Sequence, residues 1–144
     1  MTSRKHAQRA CIAAALHFDD ATAERALAIA RVQETAAGET VIRQSDAGDR
    51  LFVVTKGRFE VDIVCDDATR AVRMLGPGSC FGEIAVLEGV PRTASVVSRT
   101  DGEVLVFPSA QVFGLLERDH DAWRRLFAES QERHAQLDRA AQRR

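Results

Sequence analysis

Between about Val32 and Phe107 the chain is cut every few residues by a turn signal, and that spacing leaves it little choice of fold. Lys56-Gly57, Asp66-Asp67, Gly76-Pro77-Gly78 and Asp101-Gly102 divide the stretch into short β-type segments. Turn chemistry at such intervals is what a sandwich or barrel requires. Arg58–Ile63 is the clearest segment: Phe59, Val61 and Ile63 fall on one side, Arg58, Glu60 and Asp62 on the other. That is the period-two pattern of a half-buried strand. Leu51-Phe52-Val53-Val54 and Val104-Leu105-Val106-Phe107 read as more deeply buried strands.

Helical periods flank this region. Asp20 is the expected cap of a helix carrying Ala23, Leu27 and Ala30 on one face. Before it, Arg4, Lys5 and Arg9 precede Cys11–Leu16, the order of a signal peptide. The apolar run is short, however, and ends in His17 and Asp19-Asp20, which predicts a leading helix packed on the domain instead. After Pro108, Ser109 is the expected cap for Ala110–Glu117 and Asp121 for a final helix. Trp123, Leu126, Phe127, Ser130, His134, Leu137 and Ala141 form its stripe, and the charged end, Arg139–Arg144, is expected to fray. The predicted architecture is mainly β with flanking helices: an antiparallel, jelly-roll-like β-roll over about 32–107, preceded by an N-terminal helix and followed by C-terminal helices over about 109–142. Residues 1–19 form the helical lead and 20–144 the main domain.

Composition excludes several classes. With 144 residues and a formal net charge of −1, no global field recruits nucleic acid or an anionic membrane. No apolar run approaches the roughly 20 residues of a membrane span. Cys11, Cys65 and Cys80 are odd in number and lack CxxC spacing, which points away from disulfides and towards a reducing, cytoplasmic setting. His6, His17, His120 and His134 all lie outside the strand region, leaving a metal site in the roll without imidazole ligands. Gly76-x-Gly78-x-x-x-Gly82 has the wrong spacing for a dinucleotide loop. With no nucleophile–base pattern either, the chain is expected not to be an enzyme.

The chemistry concentrates in residues 81–97, FGEIAVLEGVPRTASVV. Gly82 lets the backbone approach a ligand closely. If Glu83-Ile84-Ala85-Val86 is a helical turn, its free amides form an anion site. Arg92 adds a fork suited to two phosphate oxygens, and Thr93 a hydroxyl donor. Glu83 only accepts hydrogen bonds, so it suits a sugar hydroxyl. A structural ion pair between Glu83 and Arg92 is the rival reading, and the setting of Gly82, Pro91 and Thr93 favours the ligand site.

Phe81-Gly82-Glu83-Ile84-Ala85-Val86-Leu87 followed by Pro91-Arg92-Thr93-Ala94-Ser95-Val96 resembles the phosphate-binding cassette of cyclic-nucleotide-binding domains. That family includes regulatory subunits of cyclic-AMP-dependent kinase, catabolite activator proteins and nucleotide-gated channels. Ala37–Gln44, Asp49–Val54, Gly57 and Leu75-Gly76-Pro77-Gly78 extend the likeness over about residues 20–140. It implies an eight-stranded β-roll whose last helix acts as a lid. By position, Arg92 binds the cyclic phosphate and Glu83 the ribose 2′-hydroxyl. Amides around Gly82, Ile84 and Ala85 and the Thr93 hydroxyl complete the cradle. Phe81 and Ala94 belong to the same site, and Val61 and Val72 line the base pocket. Ser45 departs from the family, which commonly has glycine there, and should affect turn geometry only.

The implied ligand is cyclic AMP ahead of cyclic GMP, with no other cofactor. Trp123 either stacks on the base or belongs to the core or a dimer interface. Arg124, Arg125 and Arg133 either reach the base or are solvated, the latter being favoured. The ligand is expected to close the last helix and so signal to a partner. No room follows Arg144 for a helix-turn-helix, so the expected setting is a fragment tethered to a channel, transporter or enzyme domain, or a free-standing sensor, with a homodimer through the last helix possible in either. The competing expectation is a β-roll scaffold that has lost its ligand.

Overall fold

The computed structural model describes residues 2–142. Eight strands, β1 (Arg31–Thr35), β2 (Thr40–Ile42), β3 (Arg50–Lys56), β4 (Phe59–Cys65), β5 (Ala68–Leu75), β6 (Cys80–Phe81), β7 (Ser95–Ser98) and β8 (Gly102–Pro108), make two four-stranded sheets. The orders are β1-β8-β3-β6 and β2-β7-β4-β5, with every pairing antiparallel. Helices α1 (Thr2–Leu16) and α2 (Asp20–Ile29) precede the roll, and α3 (Glu83–Glu88) interrupts it. Helices α4 (Ser109–Leu116) and α5 (His120–Gln142) follow. The β-roll with flanking helices is therefore present as expected. Helix α5 runs through Gln142, and Arg143 and Arg144 of the expected frayed end lie outside the described residues.

The apolar runs of β3 and β8 have a simple cause: their sheet is covered on both faces. Leu51, Val53, Leu105 and Phe107 face a core closed by Ile12, Leu16, Ala23 and Leu126 from the helices. Phe52, Val54, Val104 and Val106 face into the roll, against Phe59, Val61, Ile63 and Val96. Successive residues of a strand point to opposite faces, so two cores require continuous apolar sequence.

The leading helix is tied down by a polar latch as well as by Ile12 and Leu16. Glu103 of β8 is buried and accepts from Arg4 at 2.7 Å, Gln8 at 3.1 Å and Thr55 at 2.7 Å. Burial alone would raise its carboxyl, and these donors bring it below the ordinary value instead. A buried carboxylate is tolerated when so supplied with donors.

Three expected helix starts shift by one or two residues. Asp19, not Asp20, caps α2, accepting from the Thr22 amide at 2.8 Å. Asp119, not Asp121, caps α5 through the Ala122 amide at 3.1 Å, while Asp121 pairs with Arg124. Ser109 is the first residue of α4, with Pro108 before it at the cap position and no side-chain bond; the Ser109 amide instead donates to the Asp49 carbonyl at 2.7 Å.

Asp62 also departs from the alternation. It lies on the outer face of β4 yet is only 5% exposed. Arg99 bonds Glu60 at 2.6 Å and stands 3.7 Å from Asp62 Oδ2, leaving Oδ1 without a partner among the described residues. Burial, with the adjacent Glu60, pushes the Asp62 carboxyl up to about 6 against the opposing pull of Arg99. A raised carboxyl contributes stability that is complete below its ordinary 3.8 and is lost as pH climbs through about 6. Asp62→Asn should therefore be more stable than the parent at pH 7.5, with the gap closing towards pH 4.5 in urea melts. A gap that stays constant or widens as pH falls from 7.5 to 4.5 would refute this reading.

Candidate functional site

The chain after β6 turns at Gly82 and enters α3 directly. Gly82 has φ of +82°, and a Cβ there would stand 2.8 Å from Arg92 Nη1 and 2.9 Å from the Arg50 carbonyl oxygen. Only glycine satisfies both the left-handed backbone and the close approach. Arg92 is 7% exposed and Glu83 3%. Arg92 donates from Nη1 to the Gly82 carbonyl at 3.0 Å and from Nη2 to the Arg50 carbonyl at 2.9 Å. Its guanidinium lies 5.8 Å from the centroid of the Phe52 ring, and that ring stacks on Phe81 at 4.8 Å. Burial lowers the Arg92 guanidinium, with Asp49 and Glu83 opposing the shift.

The loop before β3 holds Arg92 from the other side. Its amide donates to the Asp46 carbonyl and its carbonyl accepts from the Ser45 amide, both at 2.8 Å. Ser45 itself has φ of +76°, so the position where the resemblance has glycine takes the left-handed turn with a serine. Gly48 faces the guanidinium so closely that a Cβ would sit 2.1 Å from Arg92 Nε.

Glu83 and Arg92 are not each other's ion-pair partner. Glu83 Oε1 instead pairs with Arg133 of α5 at 3.2 Å. Arg133, expected to be solvated, is drawn inward by this carboxylate and by Cys80, whose sulfur lies 3.3 Å from its Nη1. Burial pulls the Arg133 guanidinium down, but Cys80 and Glu83 hold it above the ordinary arginine value. Burial pushes the Cys80 thiol up to about 12, so it is a neutral core group and not a nucleophile.

All ten residues singled out in the sequence line one cavity of about 470 Å³, part of it open to solvent: Phe81, Gly82, Glu83, Ile84, Ala85, Arg92, Thr93, Ala94, Val61 and Val72. A bulge in the β4–β5 pairing, where Val61 faces Arg73 and Asp62 faces Ala71, presents both Val72 and Arg73 to the cavity. Ile42, Arg73, Val96, Arg133, Gln136 and Leu137 complete the wall; Arg73 and Gln136 were missed in the sequence, and Arg133 lines the cavity where the sequence favours solvation. A guanidinium on a strand or helix carries no signal until its partner across the fold is known. Trp123 does not reach the cavity; it stacks on Phe127 at 5.8 Å, lies 6.1 Å from Phe113 and packs on the helical core. Among the described residues no group of three or more His, Cys, Asp or Glu is placed to hold a metal ion, and no helix is long and apolar enough to cross a membrane.

A family model described as the cyclic nucleotide-binding domain matches residues 32–119. The chain belongs to the cyclic nucleotide-binding domain family. Over 64 residues this domain is 47% identical to the cAMP-dependent protein kinase regulatory subunit of Eremothecium gossypii, a match spanning 44% of this chain and 13% of that protein. Over 66 residues it is 46% identical to an uncharacterized ABC transporter ATP-binding protein of Mycobacterium tuberculosis, spanning 45% of this chain and 20% of that one. The chain thus corresponds to a small part of either relative. Among solved structures, the catabolite activator protein of Thermus thermophilus superposes with a TM-score of 0.75 at 25% identity, over 84% of this chain and 57% of that one. The regulatory domain of Toxoplasma gondii PKA with cAMP shares the fold, with a TM-score of 0.75 at 22% identity over 80% and 45% of the two chains.

The Gly48 contact gives a direct test of how this cyclic nucleotide-binding domain seats Arg92. Gly48→Ala should fold yet displace the guanidinium from the Gly82 and Arg50 carbonyls, and lower the thermal midpoint. Crystals of the variant with Arg92 unmoved would show that the loop does not set its position.

Proposed function

We propose that this domain binds a 3′,5′-cyclic nucleotide, cyclic AMP ahead of cyclic GMP, as a sensor without catalysis of its own. What supports the reading is the convergence of one buried cation, one buried acceptor and a row of free amides on a single cavity. Arg92 uses two of its N–H donors on carbonyls and retains others for the equatorial oxygens of the phosphate. The first-turn amides at Glu83, Ile84 and Ala85, with the Thr93 hydroxyl, donate to the same group. Glu83 accepts from the ribose 2′-hydroxyl, and Val61, Val72 and Leu137 enclose the base.

Signalling follows from the lid. Helix α5 lies over the cavity, with Leu137 only 8% exposed and Arg133 on Glu83. A nucleotide bridging the cassette and α5 favours this closed arrangement over an open one by its differential affinity. The movement of α5 is then passed to an attached or partner protein, in keeping with relatives whose names describe kinase regulation and transport. The free cysteines fit a reducing cytoplasm.

Arg73 supports a second ligand. It lines the cavity without an ion pair among the described residues, and burial together with Arg133 lowers its guanidinium. An arginine fork matches guanine O6 and N7 and has no such match on adenine, so this residue favours cyclic GMP.

Titration calorimetry on refolded, ligand-stripped protein with cyclic AMP, cyclic GMP and 5′-AMP tests the assignment and ranks the bases. We expect micromolar or tighter binding of a cyclic nucleotide and much weaker binding of 5′-AMP. Arg92→Ala should cost about 2–5 kcal/mol, as for one side of a buried charge pair, or about 30- to several-thousand-fold in affinity. Folded protein that ignores all three nucleotides would refute the proposal.

A further inference from the structure

Two polar residues interrupt the apolar stripe of α5, and both serve one carboxylate. Ser130 is fully buried and donates from Oγ to Glu88 Oε2 at 2.7 Å. His134 Nδ1 lies 2.8 Å from Glu88 Oε1, with the imidazole 31% and the carboxylate 18% exposed. Residues four apart stand above one another on a helix, so the pair grips both oxygens of Glu88 from a single face. Glu88 is the last residue of α3, where Gly89 ends the helix in the left-handed conformation. The end of a helix presents carbonyl oxygens and disfavours a negative charge. Neutralisation of Glu88 therefore comes from the lid and not from its own helix.

The geometry points to Glu88, Ser130 and His134 as a clamp between the cassette helix and the lid, one that sets how long a bound ligand is retained and tightens when His134 is protonated. The ligand part of this inference rests on the cyclic-nucleotide reading; the clamp itself does not. Glu88, Ser130 and His134 are positioning residues: Glu88 and Ser130 are absent from the cavity wall, and His134 lines a neighbouring groove. Their action runs through α5, which carries Arg133 to Glu83 and Leu137 over the opening.

The groups around the imidazole define the sign. Glu88 faces it from α3, while Asp138 lies one turn along α5 in the same groove and Arg133 is its neighbour in sequence. Strand β4 and the loop before β3 contribute only Ile63, Val64 and Gln44 there. Imidazole changes charge within pH 5–8, and a protonated donor makes the shorter, stronger, charge-assisted bond to a carboxylate. The clamp is thus firmer at pH 6 than at pH 8.

Two readouts on the full chain test this. In ligand-free protein, amide exchange along residues 130–137 should speed up roughly tenfold in Glu88→Gln and more in Glu88→Ala, as expected for losing charge-assisted and then all hydrogen bonds. With cyclic AMP bound, dissociation should be several-fold slower at pH 6 than at pH 8. In His134→Gln, which keeps a donor but does not titrate, that difference should vanish. Unchanged exchange in both Glu88 variants, or a pH dependence that survives in His134→Gln, would overturn the clamp. Failure of the parent to bind any cyclic nucleotide would refute the ligand reading alone, and the exchange data would still decide the clamp.

Discussion

A guanidinium buried in so small a β-roll has to be given acceptors by the backbone itself, and Arg92 imposes that requirement on most of what surrounds it. Its two carbonyl partners come from β3 and from the turn into α3. Strand β3 must therefore lie beside β6, and the turn must be the glycine that lets a carbonyl and a guanidinium pass at contact distance. The loop carrying Ser45, Asp46 and Gly48 closes the other side. Truncating Gly48 to no side chain at all is what makes room for the planar group. Paired apolar rings, Phe52 and Phe81, form the floor. Burial still leaves this cation destabilised relative to water. Two of its N–H donors are used on these carbonyls, which is why the proposed anion site centres on this residue.

The second half of the account is the attachment of α5. Its inward face is apolar at Leu126 and Leu137 and polar between them, at Ser130, Arg133 and His134. The polar residues all bond to carboxylates of α3, Glu83 at its start and Glu88 at its end. A purely apolar lid would slide on the roll, because apolar contact is non-directional. Hydrogen bonds at both ends of a two-turn helix fix its register. Glu83 belongs to the cavity wall and to the α5 contact at once, which is the link the proposed signalling through α5 requires.

Much of this was legible in the sequence, and what was not has physical reasons. The alternation at Phe59, Val61 and Ile63 and the continuous runs in β3 and β8 report the number of apolar faces each strand has, so they located the roll. The cassette was legible because its residues are local: Gly82, Glu83, Arg92 and Thr93 lie within one short stretch. Arg73 and Glu88 were not, and Arg133 was favoured as solvated, because each acquires its meaning from a residue far along the chain. Ser130 and His134 were visible only as members of a helical stripe; that two polar side chains sat in an apolar stripe was the available signal. Asp62 misled because alternation gives the direction of a side chain and not the depth of what covers it. Asp19 and Asp119 were displaced from the expected caps by one and two positions, since runs with Asp at neighbouring places offer several equivalent starts.

The central claim, that a forked and desolvated guanidinium is held ready for a cyclic phosphate, is tested most directly by following the unfolding midpoint against cyclic AMP concentration in the parent and in Arg92→Lys. Ligand that binds only the native state raises the midpoint by mass action, and lysine keeps the charge while losing the fork. The account predicts a midpoint that climbs with nucleotide in the parent and barely moves in a folded Arg92→Lys. Equal climbs in the two proteins would contradict it, because charge alone would then suffice and the geometry built around Arg92 would have no bearing on recognition.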